Sequence, residues 1–152
     1  MKNFVLGLVA CVASFAGITY AVESKVDLTD IKCMMNGKGP AKAEKSSEWK
    51  DGNVYFCCDN CKKGFDGDKK AHASKANHQL VATKQVEQQA CPLSGGKLNA
   101  EHKVEFKGAP VSFCCPNCKG AVEKMSDEDK LAKLFSEEAY EKAKFAKPEP
   151  KK

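Results

Sequence analysis

A cysteine pattern that occurs twice constrains the fold of this chain more than any other feature of its sequence. Each copy has a lone cysteine, a gap of 22 or 23 residues, an adjacent pair of cysteines and another cysteine three positions further on. The copies comprise Cys33, Cys57, Cys58 and Cys61, and then Cys91, Cys114, Cys115 and Cys118. This internal duplication predicts that the fold consists of two repeated supersecondary units.

The length and the aromatic content indicate two small units instead of one large domain. The 152 residues include eight Phe, three Tyr and one Trp, and this low aromatic content argues against a single large apolar core. Domains of about 40 to 60 residues usually need disulfides or metal ions as staples, and we expect the cysteines to supply them. The predicted organisation is a first unit over 22–80, a second over 81–125, a C-terminal helix over 126–146 and a disordered tail over 147–152.

The charged residues argue against nucleic acid as a partner. The 25 basic residues are all lysines, so the chain lacks arginine, the side chain best suited to bidentate phosphate or guanine contacts. The formal net charge of +5 is spread among 20 acidic residues, which is typical of a mixed, solvated surface.

The N-terminal segment 1–21 has the pattern of a signal peptide. Lys2 precedes an apolar run that ends in Thr19, Tyr20 and Ala21, a small-x-small pattern suited to cleavage after Ala21. An uncleaved membrane anchor and a lipoprotein signal with lipidation at Cys11 are the alternatives. Cleavage predicts a periplasmic or secreted product without stable membrane insertion, in an oxidising compartment where disulfides are common.

Local patterns predict similar secondary structure in both copies. Alternating segments before the lone cysteines, Val26–Ile31 and Leu80–Val86, predict strands. Glycine- and proline-containing turns follow the lone cysteines, and short apolar strands over 54–56 and 111–113 complete a hairpin in each unit. The last cysteine of each copy, Cys61 or Cys118, is expected on the first turn of a helix, where the helix dipole favours thiolate over thiol.

The segments DGNVYFCCDNCKKGF and KGAPVSFCCPNCKGAV, each preceded by a lone cysteine, resemble the TRASH and YHS group of small treble-clef domains. That group is associated with trafficking, resistance and sensing of heavy metals. The resemblance spans Cys33–Phe65 and Cys91–Val122 and implies an α+β fold of two treble-clef-like ββα units in tandem, followed by the C-terminal helix. It also implies the metal ligands Cys33, Cys57 and Cys61 in the first unit, and Cys91, Cys114 and Cys118 in the second.

The fourth ligand is left open by the sequence. Relatives with four cysteines carry one three residues after the first, whereas this chain has Asn36 and Ser94 there. Three converging thiolates suit Cu⁺, and a fourth donor would complete a tetrahedral Zn²⁺ site, so about one Zn²⁺ or Cu⁺ ion is expected per repeat. The candidate fourth donors are Cys58 and Cys115, the thioethers of Met34 and Met35, and His72, His78 and His102.

The sequence therefore predicts an exported, non-catalytic heavy-metal-binding protein that hands ions to, or receives them from, another metal-handling protein. Three alternatives remain. The cysteines could form a disulfide framework, the ion could be structural zinc in an interaction module, or the Cys-x-x-Cys spacing from Cys58 and Cys115 could serve thiol–disulfide exchange. Motifs of hydrolases, phosphate-binding loops and zinc proteases are absent from the sequence.

Overall fold

The computed structural model describes residues 26–148. The predicted signal segment, with Ala21 and Cys11, lies outside these residues, as do positions 149–152 of the predicted tail. Between residues 26 and 148, no helix is both long and apolar enough to cross a membrane.

Each unit contains one antiparallel hairpin. Strand β1 (Lys42–Trp49) pairs with β2 (Gly52–Phe56), and β3 (Asn99–Phe106) pairs with β4 (Ala109–Phe113). The register shifts at the matching point in the first strand of both hairpins, so even the irregularity of the pairing is duplicated. The predicted second strand of each hairpin is confirmed.

A helix follows each hairpin directly. Helix α1 (Asp59–Gly67) begins after the first cysteine pair, and α3 (Pro116–Glu123) begins after the second. Cys58 and Cys115 are the N-cap residues and have extended backbone. Cys61 therefore lies in the first turn of α1 and Cys118 in the first turn of α3, as predicted. The fold is therefore α+β with two ββα units in tandem.

Helix α2 (Ala73–Ala82) connects the two units and packs between them. A short 3₁₀ turn over 70–72 leads into it, and it contacts β2 of the first unit and β4 of the second. Its buried side chains include Ala76, Leu80 and Val81. The domain boundary expected between residues 80 and 81 lies inside this helix.

Both predicted strands before the lone cysteines are wrong. Leu80–Val86 begins in the last turn of α2, because the apolar spacing continues the helical period from Ala76. Val26–Ile31 forms turns instead. The Asp27 carboxylate accepts a bond from the Thr29 N–H at 2.9 Å, and Asp30 adopts a left-handed φ of 63°.

One hydrophobic core extends through both units, so the expectation that a single large apolar core does not form is wrong. Its fully buried side chains include Phe56 and Phe65 from the first unit, Phe113 from the second, and Leu80 and Phe135 from the connecting and C-terminal helices. The helices outside the repeats supply the apolar surface that two isolated 60-residue units would lack.

The C-terminal segment forms two helices, α4 (Asp127–Phe135) and α5 (Glu137–Lys142), instead of the single helix expected over 126–146. Ser126 caps α4 by accepting the Asp129 N–H at 3.2 Å, which confirms the predicted start. Ser136 ends α4 and caps α5, and this second cap divides the segment.

Candidate metal centre

The lone cysteine of each unit lies in a tight backbone turn. In the first unit the Cys33 N–H donates to the Gly39 carbonyl at 2.8 Å, and the Gly37 N–H donates to the Cys33 carbonyl at 2.9 Å. Gly37 has a φ of +64°, which side chains disfavour. The second unit repeats both hydrogen bonds with Cys91, Gly95 and Gly96. The predicted turns therefore form and bury the lone cysteines.

Three sulfur atoms converge in each unit. The Sγ atoms of Cys33, Cys57 and Cys61 all lie within 4.8 Å of one another, and so do those of Cys91, Cys114 and Cys118. We call these sets the first and second triads. The Sγ atoms of Cys57 and Cys61 are 3.8 Å apart, as are those of Cys114 and Cys118. An ion about 2.3 Å from both sulfurs would make an angle of about 110° between them, near the tetrahedral value. Each triad could therefore hold a metal ion.

The second cysteine of each adjacent pair lies beside its triad. The Cys58 Sγ is 3.8 Å from the Cys57 Sγ, and the Cys115 Sγ is 3.7 Å from the Cys114 Sγ. Cys58 is exposed, whereas the triad members are buried or half-buried. All eight cysteines between residues 26 and 148 are free thiols, and these contacts are far longer than the about 2.05 Å of an S–S bond.

A polar side chain lies three residues after the lone cysteine of each unit, Asn36 in the first and Ser94 in the second. The Asn36 Nδ2 lies 3.4 Å from the Cys57 Sγ and 3.8 Å from the Cys61 Sγ. The Ser94 Oγ lies 3.1 Å from the Cys114 Sγ. Each triad is thus bordered by a hydrogen-bonding side chain as well as by the thiol of Cys58 or Cys115.

The surroundings shift the thiol pKa values in opposite directions within each triad. Burial raises the pKa of Cys33, but backbone N–H groups of Asn36, Cys57 and Met35 outweigh it, so the net pKa is lowered. Burial also raises the pKa of Cys91, but hydrogen bonds from the Ser94 hydroxyl and from backbone N–H groups outweigh it and lower the pKa to about 7.

The helix-borne thiols retain their protons more strongly. Burial, followed by hydrogen bonding with neighbouring cysteines, raises the pKa of Cys61 and of Cys118 to about 12. Hydrogen bonding with Cys33 raises the pKa of Cys57. In each triad the lone cysteine therefore holds its proton less strongly than the helix-borne thiol, and an incoming cation must displace at least the proton of the helix-borne thiol.

The helical N-termini affect the neighbouring thiols. The backbone N–H of Cys61 is the largest cause that lowers the pKa of Cys58, and the Cys118 N–H does the same for Cys115. This agrees with the expectation that helix starts favour thiolate. For the triad members Cys61 and Cys118 themselves, burial is the largest effect, and it raises the pKa instead.

The histidine candidates have no place in the triads. Between residues 26 and 148, the groups of His, Cys, Asp and Glu that could hold an ion contain cysteines alone. His78 bonds to the Phe106 carbonyl at 3.0 Å and packs edge-on against Phe106 and Phe135, and burial lowers its pKa. His72 belongs to the 3₁₀ turn and His102 to β3.

The methionines beside Cys33 contribute to the core. Met34 is buried within the hydrophobic cluster, and Met35 is half-buried against it. These side chains fill space in the hydrophobic core, which is the alternative to binding an ion through their thioethers.

Two glutamines that sequence reasoning missed position the triads. The Gln79 Nε2 donates to the carbonyl of Lys32, the residue before Cys33, at 3.0 Å. The Gln88 Nε2 donates to the carbonyl of Ala90, the residue before Cys91, at 2.8 Å. These glutamines lie nine residues apart in sequence, whereas the cysteine repeat is offset by about 57, so aligning the two copies could not have revealed them.

Comparison of the chain with models of known protein families, with curated proteins and with solved structures finds no match. The resemblance to TRASH and YHS domains therefore stays a prediction. What each triad can bind follows from its own donor atoms.

Proposed function

We propose that this protein is exported and binds two soft or borderline heavy-metal ions, one in each triad, in metal trafficking, sequestration or resistance. The ion is Zn²⁺ or Cu⁺, and it reaches the protein from another metal-handling protein or leaves for one. The protein acts as a carrier or scavenger and not as an enzyme.

The observation that carries this proposal is the convergence of three sulfurs from distant points of the chain, repeated in two units. Cys33 and Cys57 are separated by 23 residues, yet their sulfurs share one site. Thiolates are the donors that Zn²⁺ and Cu⁺ prefer. Because the same triad forms twice with different flanking residues, its geometry is a property of the repeated unit.

The position of the triads relative to the core supports a carrier. The core contains fully buried Phe56, Phe113 and Phe135 and extends through both units, so the ion is not needed to replace it. Each triad lies where the core meets the surface: Cys33 and Cys91 are buried in the core, whereas Cys57 and Cys114 are half-buried and accessible to exchanging ligands. A structural zinc ion would instead supply most of the folding energy of a unit that lacks a core.

The test is anaerobic purification of the mature protein, followed by elemental analysis and thiol counting. We expect about two equivalents of metal and eight reduced cysteines. Cys61→Ser should empty only the first triad and Cys118→Ser only the second. Loss of both ions from either substitution would indicate one shared cluster, and absence of metal with oxidised cysteines would establish the disulfide framework instead.

A further inference from the structure

The two triads differ in the one polar side chain that borders each of them. Asn36 and Ser94 occupy the same position, three residues after the lone cysteine, and both point a polar group at triad sulfur. Both are exposed turn residues whose side chains are not part of the core. At this position the two units therefore present different chemical groups, an amide and a hydroxyl, to the triad sulfurs.

The amide of Asn36 is fixed with its nitrogen toward the sulfurs. Its Oδ1 accepts the backbone N–H of Lys38 at 3.0 Å and that of Gly39 at 3.4 Å. The Nδ2 consequently faces Cys57 and Cys61. An amide nitrogen donates hydrogen bonds and offers no free lone pair, so it can stabilise thiolates but cannot bind a cation.

The hydroxyl of Ser94 is held in the same turn in a different way. Its Oγ accepts the Gly96 N–H at 3.2 Å and lies 3.1 Å from the Cys114 Sγ. A hydroxyl oxygen has two lone pairs and one proton. One lone pair therefore remains for a cation when the Gly96 bond is kept.

We propose that Asn36 and Ser94 determine the metal specificity of the two triads, an inference that rests on the proposed function. Asn36 restricts the first triad to three sulfur ligands and thereby favours Cu⁺. Ser94 supplies an oxygen as the fourth ligand of the second triad and thereby favours Zn²⁺.

The preference follows from the coordination habits of the two ions. Cu⁺ is a soft ion that accepts few, soft ligands, and a complex with three thiolates carries excess negative charge that the Asn36 N–H groups stabilise. Zn²⁺ adopts four-coordinate tetrahedral sites and accepts oxygen at about 2.0 to 2.2 Å. Groups just outside the thiolate shell typically change metal affinity by about 10- to 100-fold.

The test uses full-length chains with one working triad each, Cys118→Ser to read the first and Cys61→Ser to read the second. Competition with chromophoric chelators gives the Cu⁺ and Zn²⁺ affinities of each chain, and X-ray absorption counts the sulfur and oxygen neighbours. We expect the ratio of Cu⁺ to Zn²⁺ affinity to be at least about tenfold higher in the first triad than in the second.

Reciprocal substitutions supply the matched controls. Asn36→Ser should lower the ratio of the first triad about tenfold, and Ser94→Asn should raise that of the second by a similar factor. Ser94→Ala should weaken Zn²⁺ about tenfold more than Cu⁺, because the lost hydrogen bond to triad sulfur affects both ions whereas the lost oxygen ligand affects Zn²⁺ alone.

Ratios that stay within about twofold after both exchanges would overturn the inference while the two-site function stands. Failure of both parent chains to bind either ion would overturn the function and the inference together.

Discussion

The side-chain amide of Gln79 bonds to both backbone groups of Tyr55, accepting its N–H at 2.7 Å and donating to its carbonyl at 3.1 Å. Gln88 does the same with Ser112, at 2.8 Å for each bond. Each glutamine thus fastens the strand that leads to a cysteine pair to the segment that precedes the lone cysteine. Sulfurs that are more than 20 residues apart in sequence are brought to one site by this link.

Substituting Gln79 with leucine should destabilise the fold and weaken the first triad selectively. The change removes three hydrogen bonds, two of them to the buried backbone of Tyr55, and we expect a loss of about 2 kcal/mol in the free energy of unfolding. Urea unfolding measures the stability, and metal titration of the single-triad chains measures the affinity.

Gln88→Leu is the matched control for the second unit. It should weaken the second triad and leave the affinity of the first nearly unchanged. Equal losses at both triads from either variant would show that the glutamines act only through global stability.

Within each cysteine pair, the first residue should matter more than the second. Cys57→Ser removes a triad sulfur, so the first site should lose its ion. Cys58→Ser changes an exposed thiol beside the triad and should retain the full stoichiometry. Elemental analysis of anaerobically purified variants checks this ranking, with Cys114→Ser and Cys115→Ser as the equivalent pair. The reverse ranking would mean that the wrong member of each pair is assigned as ligand.

Metal affinity should fall as the pH falls, because the ion binds thiolates and competes with protons. The pKa of Cys61 is about 12, so this thiol is protonated from pH 6 to 8 and each bound ion displaces its proton. The apparent affinity of the first triad should therefore drop at least about tenfold for each unit of decrease in pH.

The second triad should become more sensitive to pH below neutrality. Cys118 has a pKa of about 12 and loses its proton on binding throughout this range, whereas the pKa of Cys91 is about 7. Below about pH 7, Cys91 is protonated as well, so a further proton is displaced and the slope steepens. Chelator competition at pH 6, 7 and 8, with proton release measured in weak buffer, tests both statements. An affinity that does not change with pH would contradict thiolate ligation.

Removal of the metal should leave the protein folded but less stable. Most of the core consists of apolar side chains outside the triads, so the helical circular dichroism signal should persist after anaerobic chelation. The midpoint of thermal unfolding should rise again when metal is restored, since an ion present at about 1,000 times its dissociation constant stabilises by about 4 kcal/mol. Complete unfolding on chelation would favour the structural-zinc alternative.

The sequence predicted the parts of the fold that local chemistry determines. The second strand of each hairpin and the helical position of Cys61 depend on residues close together in the chain, and both are observed. The cap at Ser126 is local in the same sense.

Features that depend on tertiary packing were missed. The segment from Leu80 alternates like a strand when it is considered alone, but its burial against both units continues the preceding helix. In the sequence, Ser136 looks like a single polar residue within one helix. In the structure it ends α4 and caps the start of α5. The glutamine links join distant segments and leave no periodic signal.

The location of α2 affects how this protein can be divided. Its buried face contacts β2 on one side and β4 on the other, so a fragment that carries either repeat with this helix would expose apolar surface to water. Although the cysteine motif is duplicated in the sequence, neither unit should fold by itself. Transferring one metal site to another protein would require the other unit as well.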